Sequence, residues 1–96
     1  MSVRRSTLVE TSGVGRTAKW GRHVGFVTSA RRGSVFVWWL GTTFEDQMSP
    51  DEVKPFDDAA LLEAAKGAWK GDGSAFQVIR ERLVAHGMAA AAARCT

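Results

Sequence analysis

Seven consecutive residues, Ser34-Val35-Phe36-Val37-Trp38-Trp39-Leu40, constrain this chain more than any others. β-Branched and aromatic side chains fit a pleated strand, and Gly41 stops the run. Successive side chains of a strand point to opposite faces, so Val35, Val37 and Trp39 share one side while Phe36, Trp38 and Leu40 share the other. Both sides are therefore apolar. An aromatic side chain of this size buries about 150–250 Å², on the order of 4–6 kcal/mol gross at about 25 cal/mol per Å². Neither face can be left in water at that cost. One face builds a core with neighbouring strands, and something must cover the second. The cover is either a later helical pair, with Leu62, Trp69, Phe76 and Ile79 packing onto the sheet, or a ligand. A ligand would meet an aromatic groove made by Trp38 with Phe26 or Phe44.

The rest of the chain reads as β followed by α. Ser6 to Glu10 is a short candidate strand, and Thr11 to Lys19 is a polar, glycine-bearing connection. Arg22 to Ser29 reads as a strand, joined to the aromatic one by Ala30-Arg31-Arg32-Gly33, which has the length and terminal glycine of a hairpin loop. In Ser49-Pro50-Asp51-Glu52, serine caps, proline sits at the first helical position and glutamate completes an S-x-x-E box. Pro55 forbids continuation, which leaves one helical turn leading into a short extended piece. Asp57 or Asp58 caps a helix whose apolar positions are Leu61, Leu62, Ala65, Ala68 and Trp69. Gly71-Asp72-Gly73 ends it. Ser74, with Gln77 three residues on, caps a second helix with Phe76, Ile79, Leu83 and Val84, stopped by Gly87 after His86. The four-residue link implies an antiparallel or steeply angled hairpin. Met88 to Thr96 is a flexible tail, either a fraying alanine-rich extension or disordered. Ninety-six residues make one domain, with a β part over 6–56, a helical hairpin over 57–87 and the tail over 88–96.

Gly21-Arg22-His23-Val24-Gly25-Phe26-Val27, Val35-Phe36-Val37-Trp38-Trp39 and Ser49-Pro50-Asp51-Glu52-Val53 together resemble the SH3-like barrels of the KOW, Tudor and chromo-barrel type. In that resemblance they match the glycine-punctuated first strand, the strand after its hairpin, and the helical turn before the last strand. The resemblance covers residues 20–56 and implies a small SH3-like β-barrel, which with the C-terminal two-helix hairpin read from the helical spacing makes an α+β chain. It departs from the pattern at Trp38-Trp39 and in the helices that follow. Folds of this kind bind nucleic acid, proline-rich or modified peptides, or protein partners, and the fold does not fix which.

Charge supplies the next clue. The net charge is +3, yet residues 1–33 carry a net +6, residues 41–63 a net −6, and the remaining stretch a net +3. Such segregation serves a polyanion-binding face beside an acidic one, or it pairs up on folding. The candidate phosphate contacts are Arg4 and Arg5 on an N-terminal arm, Lys19 and Arg22 near the start of the hairpin's first strand, and Arg31 and Arg32 at its tip. A helix-turn-helix use of the terminal pair would instead present Gln77, Arg80 and Glu81.

Catalytic patterns are missing from the sequence. His23 and His86 have no cysteine, histidine or carboxylate at metal-ligand spacing. Cys95 has no nearby histidine to activate it, and Gly13-Val14-Gly15-Arg16 is too short to cradle phosphate. The carboxylate pairs Glu45-Asp46, Asp51-Glu52 and Asp57-Asp58 lie in linkers or at helix starts, where capping explains them. The expectation is a small non-enzymatic binding protein, without metal, cofactor or small-molecule substrate. A nucleic-acid-associated accessory or regulatory factor is the first reading. A protein–protein adaptor or self-associating module is the alternative, its acidic stretch from Glu45 to Asp58 steering a basic partner. One cysteine argues for a cytoplasmic setting, and no apolar run has membrane-spanning length. Abundant Ala, Gly, Arg and Val, few Lys and no Tyr point to a GC-rich bacterial or phage genome.

Overall fold

The computed structural model describes residues 4–95. Five antiparallel strands, β1 (Leu8–Thr11), β2 (Val24–Arg31), β3 (Ser34–Trp39), β4 (Glu45–Met48) and β5 (Val53–Pro55), form one sheet in the order β4-β3-β2-β1-β5. Three helices follow: α1 (Ala59–Trp69), α2 (Ala75–Ala85) and α3 (Ala89–Ala93). Short 3-10 helices lie at Gly15–Lys19 and Pro50–Glu52. The chain is thus α+β. No ladder joins β4 to β5, so the sheet is open and the expected closed barrel does not form.

The two-sided apolar strand behaves as its pattern requires. Trp38 and Leu40 join Leu8, Val24 and Phe26 in a core beneath the helices, which contribute Leu61, Ile79 and Leu83. Val35, Val37 and Trp39 turn the other way, to Val9, Val27, Met48 and Val53, with Trp20 packed against them. Met48 and Val53 come from the two edge strands, so the sheet curls around its second core. The β2–β3 hairpin closes on Arg32-Gly33, with Arg31 paired to Ser34 and Gly33 at a φ of 79° that favours glycine.

Gly25 shows how tight that second core is. A Cβ there would overlap the Val37 side chain and come within 2.8 Å of Trp39 Cε3. Gly25→Ala is expected to cost about 1–3 kcal/mol by overpacking, read as a lowered midpoint in urea denaturation.

Three local expectations change. The acidic stretch at Glu45-Asp46 is not a linker but an edge strand, its Glu45 and Gln47 exposed and its Met48 buried. The helix after the link is not capped by the Ser74 side chain; Asp72 instead accepts hydrogen bonds from the Ser74 N–H at 3.0 Å and hydroxyl at 2.6 Å. The tail is no fraying extension. Residues 89–93 are helical, Ala91, Ala92 and Cys95 are buried in the helix-side core, and Arg80 Nη1 donates to the Cys95 carbonyl at 2.8 Å.

Candidate nucleic-acid interface

The six cations singled out from the sequence do not form one face. Arg31 and Arg32 stand exposed at the hairpin tip, and neither makes an ion pair among the described residues. Along β2, β1 is in register with Val24, Gly25 and Phe26 and does not reach the tip, so the outer half of the hairpin is flanked by β4 alone. The Arg31 guanidinium lies 5.9 Å above the Phe36 ring. Lys19 and Arg22 sit at the opposite end of β2, about 23 Å away at about 3.3 Å per strand residue. Arg22 is already engaged: it meets Glu10 at 3.3 Å and donates to the His86 carbonyl at 3.2 Å. Arg5 is exposed, and Arg4 borders a separate cleft with Asp57 and Leu62.

Part of the charge segregation cancels internally. Arg16, which the sequence did not single out, reaches Asp46 at 3.5 Å and Glu52 at 3.6 Å and donates to the Gln47 carbonyl. Glu52 also completes the capping box, accepting from the Ser49 N–H at 2.9 Å and the Arg16 N–H at 2.8 Å. The bond from Ser49 leads, with that from Arg16 behind it, in holding its pKa below the usual carboxylate value, against the opposing effect of burial.

The aromatic groove is closed over most of its length. Phe26 is 3% and Trp38 6% exposed. Trp69 of α1 packs on both in tilted contacts, with ring centroids 6.5 Å from Phe26 and 5.7 Å from Trp38, and Phe76 meets Trp38 edge-on at 6.2 Å. The helices are therefore the cover. Phe44 stands apart at 62% exposed, and Trp69 keeps an open side at 46% exposed.

A second constellation was invisible in the sequence because its members lie far apart there. Asp58, whose side chain is 4% exposed, caps α1 by accepting the Leu61 N–H at 3.0 Å. Its other oxygen accepts from Arg82 Nε and from His86 Nε2, each at 2.8 Å. An ionised carboxylate only accepts, so Nε2 of His86 carries the proton. Burial pushes the Asp58 pKa up, but the bonds from His86, Leu61 and Arg82 outweigh it and hold it at about 2. Beside it opens a cleft of about 600 Å³ floored by Leu8, Val9, Pro55, Phe56 and Leu62. Its chemistry is that of a structural tie between α1 and α2.

Burial raises the pKa of the Cys95 thiol, which disfavours the nucleophilic thiolate. Among the described residues no cluster of three or more His, Cys, Asp or Glu is placed to hold a metal ion, and no helix is long and apolar enough to cross a membrane. No known protein family, curated protein or solved structure matches the chain.

Proposed function

We propose that this chain is a non-enzymatic, nucleic-acid-associated accessory or regulatory module that grips phosphate with the outer part of its β2–β3 hairpin. The observation that carries the reading is the pair Arg31 and Arg32, exposed at a projecting tip and free of ion pairs among the described residues, while Arg16 and Arg22 are neutralised by neighbours. Guanidinium groups suit phosphate through bidentate geometry and light hydration. We also propose an SH3-like ancestry for the sheet. Its support is β5 returning to pair with β1 and the 3-10 turn set between β4 and β5. A buried, unpaired thiol fits a reducing, cytoplasmic setting.

Titration of labelled duplex DNA, single-stranded DNA and RNA at low and near-physiological salt tests the reading. Binding that weakens steeply with salt is expected. The double variant Arg31→Glu/Arg32→Glu is expected to lower the slope of log K against log salt by about 1.4–1.8, with unchanged thermal stability. Absence of binding at low salt overturns the proposal. The adaptor reading rests on Phe44, an exposed aromatic beside acidic Glu45, which suits a basic protein partner. Under that reading the arginine variant leaves partner affinity unchanged.

A further inference from the structure

The helix-facing side of the sheet is covered only in part. Cross-strand partners share a face, so Phe36 lies on the side of Trp38, opposite Ser29 on β2 and Gln47 on β4, with Arg31 two residues beyond Ser29. Trp69 ends α1 and closes over Phe26 and Trp38. Phe36 belongs to neither core and is only half-buried. It stands two residues from Trp38, about 7 Å along the strand. Trp69, part-exposed over Trp38, and Phe36, with the Arg31 guanidinium over its ring, mark out an aromatic shelf on this face of the sheet. Arg32 lies at its far end and Lys70 at its near end, both exposed and without an ion pair among the described residues.

We infer that this shelf is a stacking platform for single-stranded nucleic acid, an inference that rests on the phosphate-gripping reading above and gives it a strand class. An exposed indole, Trp69, and a guanidinium laid over Phe36 match the two chemistries of an unpaired strand, π-faces and phosphates. A duplex hides its π-faces and offers only the phosphates. Glu45, exposed on β4, is the one carboxylate among the described residues paired directly across from Trp38, on which Trp69 lies. It opposes the approach of phosphate, which makes its removal a test of opposite sign.

The experiment measures binding of an oligothymidylate of about twelve nucleotides and of a duplex of equal length, by anisotropy and by tryptophan fluorescence, for four proteins. These are the parent, Trp69→Ala, Trp69→Phe and Glu45→Gln, each checked for an intact thermal transition. The parent is expected to prefer the single strand by tenfold or more and to show quenched tryptophan emission on binding. Trp69→Ala should lose roughly five- to hundredfold in single-strand affinity, with duplex affinity unmoved. Trp69→Phe should restore most of the loss, and Glu45→Gln should tighten single-strand binding. Should Trp69→Ala fail to fold, the Trp69→Phe and Glu45→Gln results and the quenching decide. Equal affinity for the two probes, with Glu45→Gln and the Trp69 variants indistinguishable from the parent, overturns the shelf and leaves the arginine grip standing. Failure of every probe to bind at low salt overturns both.

Discussion

Asp58→Ala is expected to remove about 2–4 kcal/mol of folding free energy, a large share of the roughly 5–15 kcal/mol that holds a domain together. Three losses combine. The first turn of α1 loses its cap, typically about 1 kcal/mol. Two charge-assisted bonds, from Arg82 and His86, vanish together. The partners left behind must then find water in a partly closed site, although Arg82 is exposed enough to do so, which keeps the loss below that of a fully buried pair. Asp58→Asn retains an acceptor for Leu61 and should lose about half as much. Urea denaturation reads both.

The pH dependence follows from the same carboxylate. Its folded pKa of about 2 lies below the ordinary 3.8. A depressed pKa contributes stability that is complete above the ordinary value and disappears as pH falls through the folded one. About 2 kcal/mol is therefore expected to be lost between roughly pH 5 and pH 2. Glu52, lowered in the same direction, adds to that slope. In Asp58→Asn the acid limb of stability against pH should be shallower, whereas a limb identical to the parent's would remove Asp58 from the account.

The two adjacent tryptophans should respond unequally. Truncation of either to alanine is expected to cost about 3–5 kcal/mol, the usual range for a buried aromatic. The phenylalanine variants separate them. Trp38 Nε1 donates to the Thr42 carbonyl at 2.8 Å, so Trp38→Phe loses a bond as well as volume. Trp39 Nε1 is buried without a partner among the described residues, and an unsatisfied buried donor carries a penalty of about 1–3 kcal/mol. Trp39→Phe removes that penalty along with part of the ring, and should lie at least about 1 kcal/mol closer to the parent than Trp38→Phe. Equal losses in chemical denaturation would mean that the Trp39 donor is satisfied in solution.

Much of the sheet was legible because alternation and turn chemistry are local. The strand from Ser34, the hairpin ending in Gly33, the Ser49–Glu52 box and a cap at Asp57 or Asp58 all follow from neighbours within four residues, and the structure selects Asp58. β4 escaped notice because an edge strand tolerates Glu, Asp and Gln on its wet side, so propensity carries no signal there. α3 escaped because five alanines show no amphipathic period, and only docking reveals which of them are inward. The candidate site divides in the same way. Arg31 and Arg32 could be placed from the loop they occupy. Phe26 and Trp38 were recognisable as one face, but whether α1 lay over them was a tertiary question. Trp69 read as core from its helical spacing, and its open outer side depends on where α1 stops across the sheet. Arg16 and the Asp58–His86 pair span 30 and 28 residues and have no sequence signature.

The division into two cores sets an order for synthesis. Every residue of the second core, from Val9 to Val53, precedes α1. The opposite core waits for Leu61, Leu83, Met88 and, last, Cys95. A growing chain can thus close one side while the other still presents Phe26, Trp38 and Leu40 to solvent. During that interval the half-finished molecule is a sticky sheet, and the arrival of α1 and α2, whose Trp69 and Phe76 cover Phe26 and Trp38, is what makes it safe.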